Sequence, residues 1–184
     1  MASITTGIIH HGNARFIRAE EIQQHPKFPP AMKNGARTWT VPHPRKRRIQ
    51  ADSPLWGIEL TTGERKLYRF FLLEADNGTS DNGETIWPEH PEMYDGSSLY
   101  EKLEAYVPFI NGNGFRDIWG IPNLYVLFVF RDAGRMKRTM EKFESLGGSR
   151  FILFQPADPA APPDYLFARP WERVGFEPLF LNQP

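Results

Sequence analysis

The segment Leu124-Tyr-Val-Leu-Phe-Val-Phe130 has no polar interruption, and it limits the possible folds more than any other stretch. A strand with one wet face alternates apolar and polar residues, so a continuous run marks a strand covered on both faces. It is far short of the roughly 20 residues a membrane helix requires. Downstream, Met136, Met140 and Phe143 recur at helical spacing between Asp132 and Leu146, Gly147-Gly148 stops the helix, and Arg150-Phe-Ile-Leu-Phe154 forms a second buried run. A strand, helix, strand unit of this length predicts a parallel pair joined by a right-handed crossover. The fold class is therefore α/β, with residues 124–130 as a central strand.

The other elements are marked by 17 prolines and 15 glycines, which fall mainly between apolar segments. A short helix is predicted over Ala19–His25, ended by Pro26, and an extended stretch over Arg37–Val41. Leu55–Leu60 and Leu67–Leu73 read as a β-hairpin whose turn is centred on Gly63. A long polar loop, Asn77 to Gly96, precedes a helix capped by Ser97 or Ser98 with Leu99, Leu103 and Tyr106 on one face. The expected organisation is an N-terminal arm (1–18), a mixed sheet with flanking helices (19–155), and a proline-rich loop with an extended tail (156–184) packed on that core.

Several chemistries lack their residues. The chain has no cysteine, hence no disulfide, thiolate metal site or cysteine nucleophile. Its five histidines, including His10-His11, show no zinc-ligand spacing. Asn111-Gly-Asn-Gly114 is not followed by the Gly-Lys-Ser/Thr of a phosphate loop, and no serine sits in a G-x-S-x-G elbow. Lys plus Arg equals Asp plus Glu at 22 each, so any anion-binding role must rest on a local patch. The start, Met1-Ala-Ser-Ile-Thr-Thr-Gly7, lacks the features of a signal peptide, and a cytoplasmic protein with no membrane partner is expected.

Acidic residues supply the strongest functional pattern. With the turn centred on Gly63, Asp52 becomes the cross-strand partner of Glu74, and Asp76 shares the face of Glu74 by the period of two. Three carboxylates at one sheet edge repel each other unless a cation or solvent separates them. Mg²⁺ or Mn²⁺ held by Asp52, Glu74 and Asp76 is one solution, because hard divalent ions take oxygen ligands and activate water against phosphodiesters. The alternative is that these residues end a loop and a strand in solvent.

Leu72-Leu-Glu-Ala-Asp-Asn-Gly-Thr79 resembles the F-L-E-x-D-R-G-T segment of replication-relaxation proteins of plasmids and other mobile elements. That family looks like a divergent branch of the PD-(D/E)XK nuclease fold, in which an acid before one hairpin strand pairs with an acid on the next. Ala51-Asp52 and Glu74-Ala-Asp76 occupy those places. Tyr100-Glu-Lys-Leu-Glu-Ala-Tyr106 is similar to the family's K-L-x-x-Y helix, and Tyr125–Phe130 with Arg135 to its R-V-L-x-V-T...R segment. The departures are Ala51 for the proline, Asn77 for the arginine, and Asp76 where an ordinary nuclease motif holds lysine. A lysine migrated onto the neighbouring helix makes Lys102 the candidate for the catalytic cation, although a lysine beside Glu101 on such an amphipathic helix is more often a solvated surface residue.

The resemblance implies a restriction-endonuclease-like core and DNA as partner. The family's usual N-terminal winged helix has no room before Ala19, so the resemblance implies either a stand-alone remnant or a part that borrows DNA contacts from a partner protein. Arg45, Lys46, Arg47 and Arg48 form the one dense basic run and are the candidate DNA-binding residues, with a solvated loop as the alternative. Three readings stand: a metal-dependent nuclease or nickase using Asp52, Glu74 and Lys102, an inactive DNA-binding accessory that keeps the fold, and a protein-interaction module.

Overall fold

The computed structural model describes residues 14–30, 39–45, 48–76, 99–158, 160 and 165–183. In chain order they form β1 (Ala14–Ile17), α1 (Ala19–Gln24), β2 (Thr40–Val41), β3 (Ile49–Gln50), β4 (Trp56–Thr62) and β5 (Arg65–Asp76). Then come α2 (Leu99–Asn111), α3 (Gly114–Trp119), β6 (Tyr125–Phe130), α4 (Ala133–Ser145), β7 (Ile152–Pro156), α5 (Tyr165–Ala168), β8 (Trp171–Arg173) and β9 (Phe176–Leu179). One seven-stranded sheet runs β1-β4-β5-β6-β7-β8-β9, and β2 pairs with β3 apart from it. The β5–β6 and β6–β7 pairs are parallel and the other pairs antiparallel, so the class is mixed α/β. No helix among the described residues is long and apolar enough to cross a membrane.

The unbroken run places β6 at the centre of the sheet, as its covered faces require. Val126, Phe128 and Phe130 point into one buried layer, where Phe128 stacks on Phe154 with ring centroids 5.8 Å apart and Phe143 of α4 meets Phe154 edge-on at 5.3 Å. Leu127 faces a second layer with Leu153, Phe167 and Trp171. Burying each such side chain contributes about 1.5–3 kcal/mol. Asp132 caps α4, its carboxylate accepting the Arg135 N–H at 2.6 Å.

Two features lie beyond the sequence reading. Residues 14–17 form an edge strand, so the sheet begins before Ala19, and the tail adds β8 and β9 to the opposite side. Arg69 ties that tail down, Nη1 donating to the carbonyls of Phe180 and Leu181 at 3.0 Å each. The expected strand over Arg37–Val41 appears only as Thr40–Val41, residues 37 and 38 lying outside the described part. Also outside it are the Asn77–Gly96 loop, the serine cap at 97–98, Trp87 and His10-His11.

The hairpin is present but its register differs from expectation. Thr62 pairs with Arg65 around a turn of Gly63 and Glu64, with Gly63 at φ 59°. The centre therefore falls between Gly63 and Glu64 instead of on Gly63, and every cross-strand partner moves by one residue. Trp56 faces Phe71, and pairing ends there. Asp52 thus is not Glu74's ladder partner, and the two residues meet by a different route.

Gly63 and Gly120 share a positive φ but differ in their surroundings. A Cβ on Gly63 meets nothing within 4 Å, whereas one on Gly120, at φ 66°, would stand 2.2 Å from the Lys27 carbonyl oxygen. Gly63→Ala should cost about 1 kcal/mol from backbone strain, and Gly120→Ala about 2–4 kcal/mol because the facing chain must also move. Urea unfolding of both variants checks this, and equal losses would contradict the close approach of Lys27 to Gly120.

Candidate functional site

The site grows from an imbalance between two strands. β5 continues through Asp76 while β4 stops pairing at Phe71, so the N–H groups of Leu73 and Ala75 on that side have no strand to bond. The residues just before β4 take them. Ser53 Oγ accepts from Leu73 N–H at 2.7 Å, and Asp52 Oδ2 accepts from Ala75 N–H at 2.9 Å. An unmade buried backbone hydrogen bond costs about 1–3 kcal/mol, which gives this loop a defined conformation. Asp52 reaches the site as a side-chain cap on β5.

Glu74 arrives from the strand itself. It shares the helix-facing side of β5 with Leu72, and its side chain is 1% exposed. On α2, Lys102 and Tyr106 are four residues apart and therefore stack on one helix face. Tyr106 donates its hydroxyl to Glu74 Oε1. The Lys102 ammonium donates to both Glu74 Oε2 and Asp52 Oδ1, the latter at 2.7 Å. Each carboxylate thus has one oxygen held by a protein donor and a second oxygen on Lys102, and the two second oxygens are no more than two hydrogen-bond lengths apart.

Burial dominates the electrostatics. Removal from water pushes the Glu74 carboxyl up to about 7 against the pull of Lys102, and the neighbouring Asp52 charge adds to the rise. Burial would raise Asp52 too, but the Lys102 ammonium and the Ala75 N–H outweigh it and hold that carboxyl below its ordinary value. Burial alone would lower Lys102, and the two carboxylates reverse this, raising it. Tyr106 is raised well above its ordinary value by burial and by Glu74, and stays a donor.

Asp52, Glu74 and Lys102 therefore converge, the two acids by a route other than the expected cross-strand pairing. Asp76 has a different partner, its Oδ2 lying 2.5 Å from Arg135 Nε, and the geometry reduces the acid set on Lys102 to two carboxylates. Among the described residues, no three His, Asp or Glu side chains are grouped to hold one ion. In the basic run, Arg45 pairs with Glu104 of α2 and Arg48 donates to Thr40 Oγ1 at 3.3 Å, while Lys46 and Arg47 lie outside the described residues. Trp39, Trp56 and Trp119 are buried and offer no face for stacking on bases.

Tyr106 and Arg135 are the site residues that the acidic pattern alone does not reveal. The i, i+4 relation of Tyr106 to Lys102 was the available signal. Arg135 belongs to a separate helix, and only the parallel β5–β6 pairing brings the start of α4 beside Asp76.

One oxygen of each carboxylate, from separate elements, faces a common point that the Lys102 ammonium occupies, and the Asp52 side chain is 40% exposed. Comparison with protein-family models, with curated proteins and with solved structures finds no match for this chain.

The raised pKa of Glu74 has a measurable consequence. Between its ordinary value of 4.5 and about 7 the folded protein holds a proton that the unfolded chain has released. Stability from this group is therefore full below about pH 4.5 and lost as pH rises through 7, a change of about 3 kcal/mol. Glu74→Gln should flatten the stability profile across that window in urea unfolding at stepped pH. An unchanged slope would show that Glu74 titrates normally.

Proposed function

We propose that this protein acts on DNA phosphodiesters through Asp52, Glu74 and Lys102, on a core of the PD-(D/E)XK kind. The observation that carries the proposal is the Lys102 ammonium bridging the carboxylates of Asp52 and Glu74. In this reading a lysine from the following helix would supply the cation that a nuclease motif with Asp76 in its lysine position lacks. The order of elements supports the same reading: an acid before β4, an acid near the end of β5, and then α2 bearing the lysine.

Asp52 and Glu74 would hold Mg²⁺ or Mn²⁺, which supplies a Lewis acid for the phosphodiester and a water of lowered pKa. Ala75 N–H and Tyr106 O–H fix the outer oxygens of the two carboxylates, so the inner oxygens keep their aim without reorganising. Lys102 places a cation beside the same oxygens, where it can meet charge building on a nonbridging phosphate oxygen. Arg45, on α2 through Glu104, and the rest of the run to Arg48 are proposed to take flanking backbone phosphates.

A second reading has its own observation. Lys102 already pairs with both acids and offsets one of their two charges, an arrangement that also suits an inactive DNA-binding accessory keeping the fold. One assay separates the two. Purified protein with Mg²⁺ or Mn²⁺ on supercoiled, linear and single-stranded DNA should cleave, Glu74→Gln and Asp52→Asn should abolish cleavage, and Lys102→Ala should reduce it about 10²-fold with little change in DNA affinity. DNA binding without metal-dependent cleavage supports the accessory instead.

Binding itself has an ionic signature. Replacing Arg45, Lys46, Arg47 and Arg48 by Ala should weaken DNA affinity and flatten its dependence on salt, by about 0.9 in log–log slope for each phosphate contact removed. A slope identical to wild type would move the DNA surface elsewhere.

A further inference from the structure

The helix-facing side of the sheet carries a second concavity, remote from the carboxylates. From Phe70, which lines it, to Glu74 is four residues along β5, about 13 Å. Its volume is about 730 Å³, within the range of small-molecule sites. Three walls enclose it: Arg15 and Ile17 of β1 beside Glu59 of β4, then Ile22 of α1, then the chain from Trp119 to Pro122. The Phe28 and Trp119 rings at its base are 2% and 1% exposed, so they belong to the packed core and do not collapse into the space. The chain at Gly120 passes close to the Lys27 backbone, a Cβ there falling 2.2 Å from the Lys27 carbonyl oxygen.

Charge on the rim selects the occupant. Glu21 takes Arg15 at 2.7 Å, and Glu59 takes Arg15 at 3.4 Å and Lys66 at 2.8 Å, so both acids are compensated. Lys27 and Arg116 are exposed and have no carboxylate partner among the described residues. Among the described residues the Arg116 guanidinium donates a long bond, 3.4 Å, to the Pro122 carbonyl and lies over the Phe115 ring at 5.9 Å. Two cations with no carboxylate partner among the described residues thus border an apolar hollow in a chain whose net charge is zero.

We infer that this pocket binds a small amphiphile with an apolar body and a single anionic head group such as a carboxylate. The body displaces water from Ile17, Ile22, Phe70 and Ile121, and the head pairs with Lys27 and Arg116 at the rim. Its separation from Glu74, about 13 Å along β5, sets the pocket apart from the proposed cleavage site. The inference does not depend on cleavage activity.

Isothermal titration with dodecanoate and with dodecanol, each below its self-association concentration, tests it on the full chain. The two probes share an apolar body and differ in charge. One dodecanoate should bind per chain, at least tenfold tighter than dodecanol. Lys27→Ala/Arg116→Ala, both at exposed positions, should weaken dodecanoate about tenfold and leave dodecanol unchanged. Absent binding of dodecanoate, equal affinity for both probes, more than one dodecanoate per chain, or a double variant that binds like wild type would each overturn the proposal. Asp52→Asn should leave dodecanoate affinity as in wild type, so failure here and failure of the nuclease reading are separate results.

Discussion

The unequal lengths of β4 and β5 govern this molecule. Because β5 outruns its antiparallel neighbour, two backbone N–H groups need acceptors that a strand does not provide. Ser53 and Asp52 supply them from the segment entering β4. That requirement of the backbone also sets the position of the Asp52 carboxylate, and hence of the ammonium it shares with Glu74. Sheet completion and acid placement are one event. It follows that Asp52→Asn, which keeps an acceptor oxygen, probes charge, whereas Asp52→Ala also opens the edge of β5.

The cluster is held by opposing effects of similar size. Taking Glu74 out of water disfavours its charge, and Lys102 restores part of that charge without restoring all of it. Breaking one partner of a buried ion pair is usually worse than never having the pair, since the survivor stays buried and uncompensated. The tyrosine adds direction more than energy. Its hydroxyl fixes which Glu74 oxygen faces the helix interior and which faces the lysine.

Legibility followed the strength of the local signal. The run from Leu124 to Phe130 allowed only a central strand, and the helix from Asp132 followed from its cap and its apolar spacing. The hairpin was legible but its register was not, because a glycine with positive φ fits either of two adjacent turn centres, and one residue reverses the face of every partner. Asp52 nevertheless arrived near Glu74, by a backbone bond that no side-chain pattern encodes. Lys102 was named through the family resemblance, since on helical periodicity alone it reads as a solvated surface residue. Arg135 met Asp76 through a tertiary pairing far from local spacing. The tail strands β8 and β9 are short, and Pro178 within β9 obscures a strand signal.

Arg69 joins the hairpin to a tail more than a hundred residues away in sequence. The hairpin can form early from local contacts, but its arginine acquires the carbonyls of Phe180 and Leu181 only after the intervening chain has assembled. Without those bonds the guanidinium, on the strand face it shares with Phe71, has no acceptor from the tail. Closure of the far layer is thus coupled to the sheet through one side chain, so a change at Arg69 would be felt at both ends of the fold.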